Sequence, residues 1–146
     1  MVFHEQWPTP IPGDNDVIIK VSACGLNNTD VNTRSGWYSK AVTEATTGGQ
    51  YAEVDESDPT WGGAPITFPR IQGADVAGTV VAVGDSADPA LIGKRVITDN
   101  WLRNWNDPLN KDSSGYFGSE RDGGFAQYTC IDSWNVGVVD LSLIHI

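Results

Sequence analysis

Cys24-Gly25-Leu26-Asn27-Asn28-Thr29-Asp30-Val31-Asn32-Thr33-Arg34-Ser35-Gly36-Trp37-Tyr38 is the stretch on which the reading of this chain turns. It is polar and rich in turn-formers, and it follows the apolar run Val17-Ile18-Ile19-Lys20-Val21-Ser22. In that run Val17, Ile19 and Val21 fall on one face and Lys20 and Ser22 on the other, which predicts a half-buried strand. Asn27, Asn28, Thr29 and Asp30 carry short side chains that accept from the free N–H groups at a helix start. They predict a short helix from about Asp30 to Ser35, stopped at Gly36. A second stretch, Gly73-Ala74-Asp75-Val76-Ala77-Gly78-Thr79-Val80-Val81-Ala82-Val83-Gly84, is β-branched and apolar from Val76 onward. Gly78 inside it predicts a close approach of another backbone, or a bend.

Outward from these two stretches the chain alternates short apolar runs with loops. Residues 39–65 carry Glu44, Glu53, Asp55, Glu56 and Asp58 without periodicity, so a long acidic loop is expected there. Regular structure is expected to resume at Phe68. Lys94-Arg95-Val96-Ile97-Thr98 predicts a strand, followed by a second polar loop that runs to Arg121. Gly123-Gly124 opens a predicted strand from Phe125 to Ile131, and Asn135 to Val139 predicts a last short one. The chain has 146 residues with 16 glycines and 8 prolines, which suits one mainly β domain with many turns. No G-x-G-x-x-G follows a strand and opens a helix, so no dinucleotide fold is expected.

The net charge of −10 is the wrong sign for neutralising phosphates, which argues against a nucleic-acid partner. No apolar stretch reaches membrane-spanning length, and the N-terminus lacks a basic start followed by an apolar run. Cys24 and Cys130 have no C-x-x-C spacing. A disulfide between them stays open, but neither a disulfide scaffold nor a structural zinc site is expected, and a reducing cytoplasm is the expected compartment.

Five landmarks occur in a familiar order: Asp16-Val17-Ile18-Ile19-Lys20-Val21, the Gly25 to Tyr38 and Gly73 to Gly84 segments, Gly93-Lys94-Arg95-Val96, and Asp122-Gly123-Gly124-Phe125-Ala126-Gln127-Tyr128. Together they resemble the N-terminal, GroES-like catalytic domain of the medium-chain dehydrogenases/reductases. The resemblance implies a partly open β-barrel with short helices over residues 1–140. In that family the barrel packs against a Rossmann domain, absent from this chain, and the active site lies in the cleft between the two. Residues 141–146 do not continue the family pattern and are expected to be a truncated or foreign tail.

Zinc members of the family carry a ligand cysteine where Asn27 stands here and a ligand histidine where Ala74 stands, so no metal site is expected. Gly25-Leu26-Asn27 and Arg34-Ser35-Gly36-Trp37-Tyr38 are most similar to the quinone oxidoreductase group, which includes zeta-crystallin and uses NADPH without zinc. The resemblance places Asn27 beside nicotinamide and substrate, with Asn28 next to it on the cofactor side, and Tyr38 at the border of the site. Asn27-Asn28-Thr29-Asp30 also resembles the Cys-x-Ser/Thr-Asp pattern of zinc alcohol dehydrogenases, whose hydroxyl relays the substrate proton; Thr29 holds that position. Asp75 stands where those enzymes carry a glutamate near the metal.

Each of these residues also has a plainer reading. Asn27 and Thr29 suit helix capping, Tyr38 suits packing at a cleft edge, and Cys24 suits a small buried hydrophobe. Asp75 suits a structural bond to backbone or to the Arg70 neighbourhood. Trp37, Trp61 and Trp101 suit either an apolar pocket or core packing. The implied function is zinc-independent hydride transfer from NADPH or NADH to a quinone or enone-like carbonyl. The cofactor would be held mainly by the missing domain, in a full-length protein that is a homo-oligomer. Two alternatives stand beside it: a zinc-dependent alcohol dehydrogenase-like enzyme with a site from Cys24, Asp75 and His4 or His145, and a non-catalytic GroES-like binding module.

Overall fold

The computed structural model describes residues 2–34, 67–110 and 114–140. Its centre is a five-stranded antiparallel sheet in the order β6-β1-β2-β3-β7. The strands are β1 (Asp16–Gly25), β2 (Asp75–Val83), β3 (Arg95–Thr98), β6 (Tyr128–Asp132) and β7 (Val136–Val138). A small second sheet pairs β4 (Trp101–Leu102) with β5 (Gly115–Tyr116), and one α-helix, α1 (Asn28–Arg34), follows β1. The large sheet is open, with β6 and β7 at its edges. This is the mainly β, partly open architecture expected of a GroES-like domain.

The core forms where the inward faces of these strands meet. Val17 and Ile19 of β1, Val76 and Val80 of β2, Val96 of β3 and Ile131 of β6 close on Phe117. Ile18 is buried as well, on the opposite face, so β1 is more enclosed than simple alternation predicts. The pairing with β2 shifts register between Ile18 and Ile19, which interrupts the alternation there. Gly78 is required by packing: a Cβ there would collide with the Lys20 carbonyl oxygen and with Ile19 Cγ2. The close backbone approach expected of this glycine is present.

Three local expectations are corrected. The stretch read as a polar loop up to Arg121 contains β4, β5 and Phe117, the largest fully buried side chain among the described residues. The aromatics of this stretch, Trp101, Trp105, Tyr116 and Phe117, are spaced without a strand or helix period among polar residues, so nothing marks which of them is buried. Phe117 is seated by long-range bonding, since its N–H donates to the Asn100 carbonyl at 2.9 Å. The strand expected from Phe125 begins only at Tyr128, opposite Lys20. Before that, the N–H groups of Gly123, Gly124 and Phe125 donate to the carbonyls of Ile71, Gly73 and Gln72 at 2.7, 2.7 and 2.9 Å. Residues 71–73 take part in this bonding outside any strand, so the regular structure expected to resume at Phe68 begins at Asp75, at the head of the strand expected from Val76.

β6 is fastened to β1 by charge as well as by its ladder. Arg121 Nη2 donates to Asp16 Oδ2 at 2.6 Å and to Cys130 Sγ at 3.1 Å. The Cys130 thiol in turn donates to Asp16 Oδ2 at 3.4 Å. Burial raises the Asp16 pKa, but its bonds to Arg121 and to the Gly13 N–H more than offset this, and the carboxyl ends below its ordinary value. The expected acidic loop at 39–65 and the tail at 141–146 lie outside the described residues.

Candidate active site

The two stretches singled out in the sequence meet in space. Asn27 is the residue before α1, and its side-chain Oδ1 accepts from the Thr29 N–H at 3.2 Å. Asp30 reaches back to accept the Asn27 N–H on Oδ2 at 2.9 Å. These two bonds form a capping box, so the helix-capping reading of Asn27 holds, with the helix starting at Asn28 rather than Asp30. Asp30 Oδ1 accepts from the Gly73 N–H at 3.1 Å, and Gln72 Nε2 donates to the Asp30 carbonyl at 2.7 Å. Helix start and β2 entrance are thereby locked together.

The other end of the Asn27 amide faces β2. Its Nδ2 donates to Asp75 Oδ2 at 3.1 Å. Asp75 therefore does not bond to Arg70, which instead pairs with Asp122 at 3.1 Å. Arg70 is recruited by the turn ahead of β6, whereas Asp75 projects from the exposed face of β2 toward Asn27 and Asn100. Asn100 Nδ2 donates to Asp75 Oδ1 at 3.1 Å and to the Tyr116 hydroxyl at 2.9 Å.

An open cleft of about 310 Å³ lies beside this network. Leu26, Asn27, Asn28, Val31, Gln72 and Phe125 contribute to its wall, which is mostly apolar, with Asp30 and Arg34 adding charge. Gly73 narrows the space behind it. Its φ of +99° is left-handed, and a Cβ there would lie 2.6 Å from Cys24 Sγ and 2.8 Å from Phe125 Cδ1. Cys24 is partly buried against the core; burial, then the carboxylates of Asp30 and Asp75, push its thiol up to about 11. A thiol so held is a poor nucleophile.

Asn27 and Asn28 both line the cleft. Thr29 is adjacent but is not among its lining residues; its Oγ1 is buried and, among the described residues, has no hydrogen-bond partner. Tyr38, Trp37 and Trp61 lie outside the described residues. Trp101 packs edge-on against Tyr116 with ring centroids 6.0 Å apart, beside the Asn100 network. Ala74, in the position that zinc relatives give to histidine, is buried and offers no ligand. Asn27 has its oxygen committed to the helix cap. Among the described residues no three His, Cys, Asp or Glu side chains are grouped to hold a metal, and His4 stacks with Trp7 near the N-terminus. The described side chains at this site thus supply no grouped set of zinc ligands. Sequence reasoning missed Asn100, Gln72 and Phe125, which come from loops with no spacing signal of their own.

An open antiparallel sheet with a polar cluster at the junction of β1, α1 and β2 defines the catalytic-domain class of the medium-chain dehydrogenases/reductases. Residues 13–141 match the alcohol dehydrogenase GroES-like domain, and the chain belongs to that family. It is 36% identical over 93 residues to the human quinone oxidoreductase, a match covering 64% of this chain and 21% of that protein. It is 27% identical over 138 residues to alcohol dehydrogenase notN of an Aspergillus species, covering 88% of this chain and 33% of the relative. A solved protein of Sinorhizobium meliloti 1021, provisionally called an alcohol dehydrogenase, superposes with a TM-score of 0.72 at 38% identity, over 94% of this chain and 36% of that one. The chain thus spans about a fifth to a third of the length of these relatives.

Proposed function

We propose that this chain is the catalytic domain of an NAD(P)H-dependent oxidoreductase that reduces a quinone or an enone-like carbonyl without zinc. The observation that carries this reading is the division of labour within the Asn27 amide. Its oxygen caps α1 and one N–H is directed at Asp75. An amide nitrogen has two hydrogens, and among the described residues Nδ2 has no second acceptor. Asn27 is one of the residues lining an open, mostly apolar cleft, and on this reading the remaining donor is directed into that space. That donor can meet the oxygen of a carbonyl that becomes negative during reduction, the task a metal performs in the zinc relatives.

The nicotinamide, when bound, supplies the hydride. Asn27 and Asn28 would border it, and Leu26 and Phe125 would offer apolar surface to a flat substrate. A buried hydroxyl without a partner costs about 1–3 kcal/mol. The orphaned Thr29 Oγ1 supports a role in passing a proton to the product oxygen once the site is complete. Tyr38 is proposed as a further hydroxyl at the border. On this reading residues 1–140 form the domain, and the protein acts as a cytoplasmic homo-oligomer.

The test is to express the longer protein that contains this chain, supply NADPH or NADH with a panel of quinones and enones, and measure metal content on the same sample. Turnover without stoichiometric zinc is expected, and none from the 146-residue chain alone. One tightly held zinc with alcohol oxidation would replace this reading by the zinc-dependent one. Absence of cofactor affinity in the longer protein would leave a binding module.

A further inference from the structure

Asp75 stands on the exposed side of β2, yet both of its oxygens are engaged by amides, Oδ2 by Asn27 and Oδ1 by Asn100. A carboxylate only accepts, and an amide nitrogen only donates. Asp75 can therefore hold Asn27 only through Nδ2, while the Thr29 N–H can hold it only through Oδ1. The two partners dictate which way the amide faces. Asn100 is fixed in the same manner, because its two hydrogens go to Asp75 Oδ1 and the Tyr116 hydroxyl. The backbone of Asp75 is secured separately by pairing with Gly25 across the β1–β2 ladder, so the strand does not depend on the side chain.

We infer that Asp75 is a positioning residue, which holds the Asn27 amide with its nitrogen toward the substrate carbonyl and is itself held by the Asn100–Tyr116 pair. This rests on the reading of Asn27 as the carbonyl-facing donor. Without the carboxylate the amide keeps its cap bond but turns freely about it, and its second N–H no longer points in one direction. The loss should fall on the chemical step rather than on binding. A donor misdirected by a fraction of its reach costs roughly ten- to a hundredfold in rate.

Two measurements decide it. In the 15N-labelled chain, the Asn27 side-chain amide, assigned by its disappearance in Asn27→Ser, should show one hydrogen shifted and protected by the carboxylate. Asp75→Ala should abolish that distinction, and Asn100→Leu should weaken it. In the longer protein, Asp75→Ala should lower kcat roughly ten- to a hundredfold, leave KM and the melting temperature near the unsubstituted values, and be partly rescued by Asp75→Glu. An Asn27 amide signal indifferent to Asp75→Ala overturns the inference whatever the enzyme does. Unchanged kcat in Asp75→Ala, when the unsubstituted protein reduces quinones, overturns the positioning role alone. No turnover in the unsubstituted protein sinks the functional reading itself, and the positioning role with it.

Discussion

Asn27 Nδ2 and Asp75 Oδ2 lie 3.1 Å apart although the residues are separated by 48 positions in sequence. This contact joins the end of β1 to the start of β2 and sets the polarity of the site. The same asparagine closes the first turn of α1 through its oxygen, donates to Asp75 through its nitrogen and is among the residues that line the cleft.

Because the proposed function gives Asn27 a donor role beside its cap, two substitutions separate the two. Asn27→Ala removes cap and donor together. It is expected to cost about 0.5–2 kcal/mol of stability and to slow the longer enzyme about a hundred- to a thousandfold. Asn27→Ser keeps a good capping oxygen but no amide, so it should melt near the unsubstituted protein while losing the same rate. Full turnover by Asn27→Ser in steady-state kinetics would reject the donor role and leave the cap.

The Asp16–Arg121 pair gives a pH-dependent contribution whose sign follows from its pKa. The folded carboxyl lies below its ordinary value of 3.8. The contribution is therefore fully present above that value and is lost as pH falls through it toward the folded pKa. The pair is partly buried, between the exposed case and the buried one, so Arg121→Gln is expected to destabilise by about 1–3 kcal/mol at neutral pH. The difference between variant and parent should shrink in denaturant titrations below pH 3.8. A difference that stays constant down to strongly acid pH would show that packing of the arginine, not its charge, carries the effect.

Both cysteines should be slow to react in the folded chain. Burial pushes the thiols of Cys24 and Cys130 up from 9.0 to about 11 each. Only the thiolate is alkylated, so near neutral pH the reactive fraction falls about a hundredfold relative to an unperturbed thiol. Iodoacetamide labelling followed by mass spectrometry should be slow at both sites in the native chain and fast in denaturant. Rapid native labelling of Cys24 would mean that the Gly73–Phe125 wall around it opens.

Gly78→Ala tests the packing of β1 on β2. The added methyl would meet the Lys20 carbonyl oxygen and Ile19 Cγ2, and backbone cannot rotate aside as a side chain can. A loss of about 1–3 kcal/mol is expected from overpacking. Gly93→Ala should instead act through its left-handed φ of +80°, since nothing lies within 4 Å of the new methyl. Equal melting of Gly78→Ala and the parent would show that the two strands separate more readily than this register implies.

Much of the fold was legible because it is local. Alternation placed Val17 and Ile19 on the inward face of a strand, the β-branched apolar run from Val76 marked a second strand, and the Asn27–Asp30 run announced a helix start. These signals depend on side-chain periodicity and on capping chemistry, which neighbouring residues fix between themselves. The order of landmarks along the chain then pointed to the family. Tertiary structure alone decided that Phe117, rather than its neighbour Tyr116, is fully buried in the core. Only the folded chain diverts Phe125 to bond with the loop before β2 rather than with β1. The site divides in the same way. The residue types at 27 and 74 raised the expectation of no zinc ligand set, whereas the engagement of Asn27 by Asp75, and of Asp75 by Asn100, required the β1–β2 register to bring them together. A hydrogen bond between distant residues leaves no period in the sequence, because its energy depends on where the backbone has already placed both partners.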